Sequence, residues 1–284
     1  MRELILIVLQ VSIMCTVLGF GLAASAADLL YLVHRPALLA RSLLAVFVIM
    51  PIFTLGLVRS LAFPLTTEAV LLALSMSAVP PLLPMKQDKA GGNASYGLGL
   101  MVVLSFASIA AIPAAVAIME RFFERPIVVA PGAIAGVVMK STLAPLAAGL
   151  AIRAIWPAVA TWLERPVGVI SKVLLPLAVV ALVAGGFSEI WAAVGNGTVL
   201  AIVVFTVAGL AIGHVLGGPD PDHSAVLALS TACRHPAMAL AIATTAIPDQ
   251  KFGATILLYL LVNIVAGLPY ILWQRRRSVV PSGA

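Results

Sequence analysis

Leu229-Ser230-Thr231-Ala232-Cys233-Arg234-His235-Pro236-Ala237-Met238-Ala239-Leu240 sets a guanidinium, an imidazole and a proline inside the otherwise apolar stretch 224–247. A charge at the centre of a membrane helix costs at least ~2.5–3.5 kcal/mol on insertion scales. Arg234 therefore needs a partner, a water-filled cavity or a ligand. Pro236 has no backbone N–H and pushes His235 out of helical geometry. The adjacent like charge favours a neutral imidazole. This stretch predicts a helix interrupted within a bilayer, with Arg234, His235 and Ser230 as candidate binding groups. The plainer reading is that Arg234 packs on a carboxylate such as Asp88 or Glu68 and only stabilises the bundle.

The rest of the chain agrees with a lipid solvent. Of 284 residues, 62% are hydrophobic and 10% charged, with mean hydropathy +1.14. A soluble domain is about a quarter charged, so charge this sparse cannot cover a water-soluble surface. Soluble enzymes, nucleic-acid binders and disordered linkers are excluded on that ground. The net charge of +6 suits loops lying on anionic lipid and does not require nucleic acid. Cys15 and Cys233 sit in apolar runs and read as buried free thiols.

A spanning helix needs about 20 apolar residues. Nine segments qualify: 4–26, 37–58, 66–84, 94–118, 127–152, 167–187, 198–217, 224–247 and 252–273. The chain is thus expected to be an all-α integral membrane protein with about nine transmembrane helices. The first run is long and lacks a clear cleavage site beyond Ala23–Ala27, which argues against a removable leader. Lys and Arg near the segment ends set orientation. One side carries Arg35, Arg41, Lys86, Lys89, Arg153, Arg165, Arg275, Arg276 and Arg277. The other carries Arg2, Arg59, Arg121, Arg125 and Lys251. The richer side is expected to be cytoplasmic, which leaves the N-terminus outside and the basic tail 274–284 inside the plasma (inner) membrane. Tyr270 and Trp273 read as an interfacial belt, and Glu120–Arg125 as a solvated outer connection.

A second interruption precedes the fourth segment, in Ala78-Val79-Pro80-Pro81-Leu82-Leu83-Pro84-Met85-Lys86-Gln87-Asp88-Lys89-Ala90-Gly91-Gly92-Asn93. Three prolines in five residues unwind a helix and free its carbonyls. An ordinary cytoplasmic loop fits the same residues. Pro80, Pro81 and Asn93 are candidate substrate contacts; Asp88, Lys86 and Lys89 are candidate charge-relay groups. Each break is followed by one final pass, and paired interrupted helices point to an inverted-repeat transporter with a midplane site. The expected division is 1–119 (helices 1–4, broken near 80–84) and 120–273 (helices 5–9, broken near 230–236). Lys140, within a span, bridges to a carboxylate or snorkels, and joins the relay candidates. Asn263 is a candidate contact or an interhelical hydrogen-bonding group. Asp220 and Asp222 lack the spacing of a metal site. No P-loop, His-Glu-x-x-His, Gly-x-Ser-x-Gly or dinucleotide fingerprint occurs, so no cofactor or metal is expected.

At these residues the chain resembles the bile acid:sodium symporter superfamily along nearly its whole length. Val46-Phe47-Val48-Ile49-Met50-Pro51 resembles the family's second-pass motif ending in Met-Pro. Lys140-Ser141-Thr142-Leu143-Ala144-Pro145-Leu146-Ala147-Ala148-Gly149-Leu150 resembles its Lys-…-Pro-…-Gly-Leu pass. Ala90–Asn93, Leu229–Ala241 and Asn263 fall on its polar link, its second broken helix and an Asn of its last pass. The resemblance implies two inverted repeats, two crossed discontinuous helices, a core and a panel domain, and alternating-access transport of organic anions. Its sodium-ligand positions fall here on Val46, Leu83, Pro84, Gly97, Met101, Ser230 and Arg234, which supply few side-chain oxygens. Hard cations need several oxygens. The resemblance thus implies a divergent member in which Arg234 stands as a fixed positive charge and favours an anionic substrate.

The expected function is a secondary transporter of a small organic anion, either proton-coupled through Asp88 and His235 or uncoupled. Its expected partners are that anion and the bilayer, not nucleic acid; oligomeric state is not legible. A non-transporting sensor on the same scaffold is the alternative. An intramembrane enzyme would need paired carboxylates or a Ser–His pair at one depth, which the spacing does not supply.

Overall fold

The computed structural model describes residues 2–78, 89–123 and 131–279. Among them the chain is helical throughout, with no strand. In order these are α1 (Arg2–Ala23), α2 (Ala26–Leu30), α3 (Pro36–Leu43), π1 (Leu44–Ile49), α4 (Met50–Ser60), α5 (Leu65–Met76), α6 (Ala94–Phe123) and α7 (Pro131–Val138). There follow π2 (Met139–Leu143), α8 (Ala144–Ile155), α9 (Pro157–Gly185), α10 (Phe187–Ala193), α11 (Thr198–Gly217), α12 (Pro221–Ala232), α13 (Pro236–Ala246) and α14 (Gly253–Val279). Among the described residues, seven spans are long and apolar enough to cross a bilayer, and Gln10–Ala23 and Leu65–Met76 are shorter apolar helices. Every predicted segment carries helix, and the protein is an all-α, multi-pass membrane protein.

The two π segments have one cause. Each lies just before a proline, Pro51 or Pro145. Met50 N–H reaches back five residues to the Ala45 carbonyl, and Ala144 N–H does the same to Met139. The next donor in that register would be the proline, which has none. The Val46 carbonyl consequently has no partner in its own helix.

The helices pack as a larger and a smaller group. In the larger, α11 lies along α12 and against α14, α5 contacts α13, and α2 contacts α6. In the smaller, α1 packs on α8 and α9, around an apolar cluster of its own, Leu22, Ala160 and Val167. Gly21 and Gly149 let α1 and α8 meet backbone to backbone: a Cβ on either would strike the other helix at Leu146 or Leu18. Ile52, Trp162, Val180, Val215 and Val265 are more than half exposed, which suits a solvent as apolar as leucine. Several interior hydroxyls bond within their own helices, as in Thr16 to Ser12 O, Thr54 to Met50 O and Ser230 to Val226 O.

Several boundaries differ from expectation. The sixth segment starts at Pro157 rather than 167, because Trp156 alone makes the turn (φ −133°, ψ 75°) and Pro157 opens α9. Arg165 is therefore helical, not a loop residue, and Arg153 reaches across the turn to Thr161 Oγ1. The first break begins at Ser77, before the prolines, while the second is confined to Cys233–His235. Glu120–Phe123 continue α6 rather than forming a connection. The expectations on Pro80, Pro81, Lys86 and Asp88 lie outside the described residues.

At the α2 end of the bundle, Ser25 and Asp28 form a reciprocal capping box, and Ser95 Oγ donates to the other carboxylate oxygen of Asp28. The Ser95 hydrogen bond, working against burial and helped by those of Ser25, holds the Asp28 carboxyl below its ordinary 3.8. A depressed carboxylate stabilises the fold above its unfolded pKa, and that contribution is lost as pH falls through the folded value. Asp28→Asn is expected to cost about 1 kcal/mol at neutral pH. In paired thermal melts, the gap to the parent protein should close as pH drops below 3.8.

Candidate functional site

The two breaks meet. α5 ends at Met76, and Ser77 O accepts the N–H of His235 at 3.2 Å. The carbonyl end of α5 thus faces the amide end of α13, with opposite partial charges in contact. A helix that stops inside a bilayer must still place its last carbonyls. At the end of α12, Ala232 O accepts from Tyr259 Oη (3.1 Å) and Asn263 Nδ2 (3.0 Å). Arg234 N–H donates to Tyr259 Oη at 2.8 Å. Cys233 Sγ reaches Asn263 Oδ1, and Asn263 Nδ2 also reaches Thr206 Oγ1.

Arg234 is 3% exposed, and carbonyls hold it. Its Nε donates to Thr231 O at 2.9 Å, and both terminal nitrogens approach Val46 O at 3.4 Å. Val46 O is the acceptor that π1 and Pro51 leave over, so the guanidinium fills a vacancy created in another helix. Glu68 is not paired with it, and among the described residues no carboxylate is.

His235 turns the other way. Its Nδ1 accepts the Met238 N–H and caps α13, so a neutral ring carries its proton on Nε2. Nε2 lies 3.3 Å from Ser141 Oγ, which in turn donates to Val137 O. His235 and Ser141 belong to the wall of a cavity of about 670 Å³. The wall comes from α1 (Gln10, Ile13), α7–π2 (Gly132 to Ser141) and Leu182 of α9 on one side. His235–Leu240 and Gly253–Leu260 form the other. The cavity therefore lies on the seam between the two helix groups. Its lining is apolar except for Gln10, Lys140, Ser141 and His235. Lys140 lines the cavity and is exposed, with no carboxylate within ion-pair distance among the described residues.

Of the candidates, the structure brings together His235 and Lys140 at the cavity and Arg234 and Asn263 at the crossing behind it. Ser230 is buried in α12 on its own helix's carbonyl. Asn93 caps α6 through Tyr96 N–H, and Lys89 is exposed; neither lines the cavity. Three contributors were not singled out beforehand: Ser141, Gln10 and Tyr259. Gln10 and Tyr259 carried a usable signal, being polar groups well inside apolar runs. Ser141 stands beside Lys140 in the quoted pass, but its bond to His235 joins residues 94 apart.

No curated protein matches the chain. A family model described as the Sodium Bile acid symporter family matches residues 4–193, 190 of 284. The match runs from α1 through α10 and so includes Lys140, Ser141 and the first break. On that match, the chain belongs to the sodium bile acid symporter family, a family of membrane transporters rather than enzymes.

Proposed function

We propose that the chain is a secondary transporter of a small organic anion, which it carries through the seam cavity by alternating access. The observation that carries this reading is one ammonium, Lys140, facing an apolar cavity of about 670 Å³ with no carboxylate beside it among the described residues. That volume suits a drug-sized ligand. The single cation selects an amphipathic anion, its carboxylate or sulfonate at Lys140 and its body on Ile13, Leu182, Leu240, Ile256 and Leu260. Gln10, Ser141 and the Nε2–H of His235 offer orienting hydrogen bonds. The first turn of α13 adds positive potential.

Alternating access is supported by the cavity's position on the seam, where rocking of the smaller group against the larger exposes it to one side and then the other. The two crossed breaks support an inverted-repeat division at 1–119 and 120–273. The Lys and Arg distribution supports a plasma-membrane orientation with the N-terminus outside and the C-terminus cytoplasmic. Asp88 and His235 are the candidate proton carriers, and Arg234 keeps the site's surroundings positive.

Proteoliposomes holding the purified protein test the reading with a radiolabelled bile-acid-like anion, in sodium and in choline, with and without a pH gradient. Saturable uptake of similar size in both salts is the expected result. Saturable binding without flux would overturn transport and leave a sensor.

A further inference from the structure

The family's name implies a sodium ion, so the crossing must be asked whether it fits one. Two features draw a cation there. The end of α12 carries the negative pole of its helix and leaves Thr231 O and Ala232 O without helical partners. The π turn before Pro51 adds Val46 O from a different helix. All of these acceptors are taken: Ala232 O by Tyr259 and Asn263, Thr231 O and Val46 O by the guanidinium of Arg234. A hard cation needs about six oxygens, and here the carbonyls that could serve it already hold a guanidinium. The residues do not fit sodium at this position.

We infer that Arg234 is a tethered cation: its guanidinium occupies a carbonyl-lined cation site where the two breaks cross, and it holds the crossing together without a metal ion. A planar fork serves two divergent carbonyls, one from α12 and one from π1, as a spherical ion held by two oxygens could not. The inference concerns how the crossing is held and does not depend on what the seam cavity carries. Its test reads stability, so its failure and that of the transport reading are distinguishable.

The experiment compares thermal melts of the detergent-purified parent protein, Arg234→Lys and Arg234→Met in sodium chloride and in choline chloride. Removing the charge frees buried carbonyls that have no other partner. Arg234→Met is expected to melt about 10 °C below the parent. Arg234→Lys, which keeps a cation but not the fork, is expected to recover roughly half of that loss. The parent is expected to melt at one temperature in both salts. A saturable rise of the parent's melting temperature with sodium would overturn the inference. So would an Arg234→Lys variant no more stable or better folded than Arg234→Met, or an Arg234→Met variant as stable as the parent.

Discussion

Gly213→Leu is expected to yield no folded protein. Gly209, Gly213 and Gly217 recur every four residues along one face of α11, and α12 lies directly on that face. A Cβ on Gly213 would meet the Leu227 carbonyl and come within 2.5 Å of Ala228 Cα; one on Gly217 would meet Ser224 Cα. The obstructing atoms are backbone, so no rotamer change relieves the clash. Gly213→Ala already forces the helices apart and is expected to cost about 1–3 kcal/mol or more. Leucine adds three further carbons in the same place. Gly168 is the control. It is helical in α9 with nothing within 4 Å of its Cβ position, so Gly168→Ala is expected to gain about 0.5–1 kcal/mol. Size-exclusion profiles and melts of the variants decide the matter. A monodisperse Gly213→Leu would show that α11 does not rest on α12. The same face meets Thr231 and Ala232 at Gly209, so this packing also fixes where the second break, and Arg234 with it, sits.

Reversing one charge in the cavity is expected to abolish uptake with the fold intact. Lys140 is exposed, in a π turn, and is not held in an ion pair among the described residues, so Lys140→Glu removes little that supports the helices. For an anion in the cavity the change is large. A unit charge pair at 4 Å is worth about 4 kcal/mol at an effective dielectric of 20, and reversal turns that attraction into repulsion. Allowing for residual solvent, affinity should fall at least about 100-fold, equivalent to roughly 3 kcal/mol. Lys140→Arg should bind within about tenfold of the parent. Uptake kinetics together with the melting temperature separate loss of function from loss of fold. Normal uptake by a stable Lys140→Glu would remove Lys140 from the path of the substrate.

The helical outline was legible because its signals are local. Apolar length marks each pass, and proline beside buried charge marks the second break. The start of α9 is not legible because Glu164-Arg165-Pro166 has the composition of a loop. The turn is instead made at Trp156-Pro157, and the later proline is absorbed inside the helix. The site divided in a way spacing does not reveal. Cys233 and His235 are extended (φ −94°, ψ 123°; φ −80°, ψ 107°), and successive side chains of an extended chain point to opposite sides. Arg234 consequently turns to the carbonyls of α12 and π1, and its neighbour to the cavity. Only the third dimension supplies the surplus carbonyl at Val46 and the serine at 141 that these two side chains meet.

The clasp between Ser77 O and His235 N–H is built from main chain alone. Among single substitutions, only proline at 235 deletes it outright. Any other side chain at 235 leaves this main-chain tie in place, so the imidazole can be altered without untying the crossing, while the guanidinium next to it braces the same junction from the side chain.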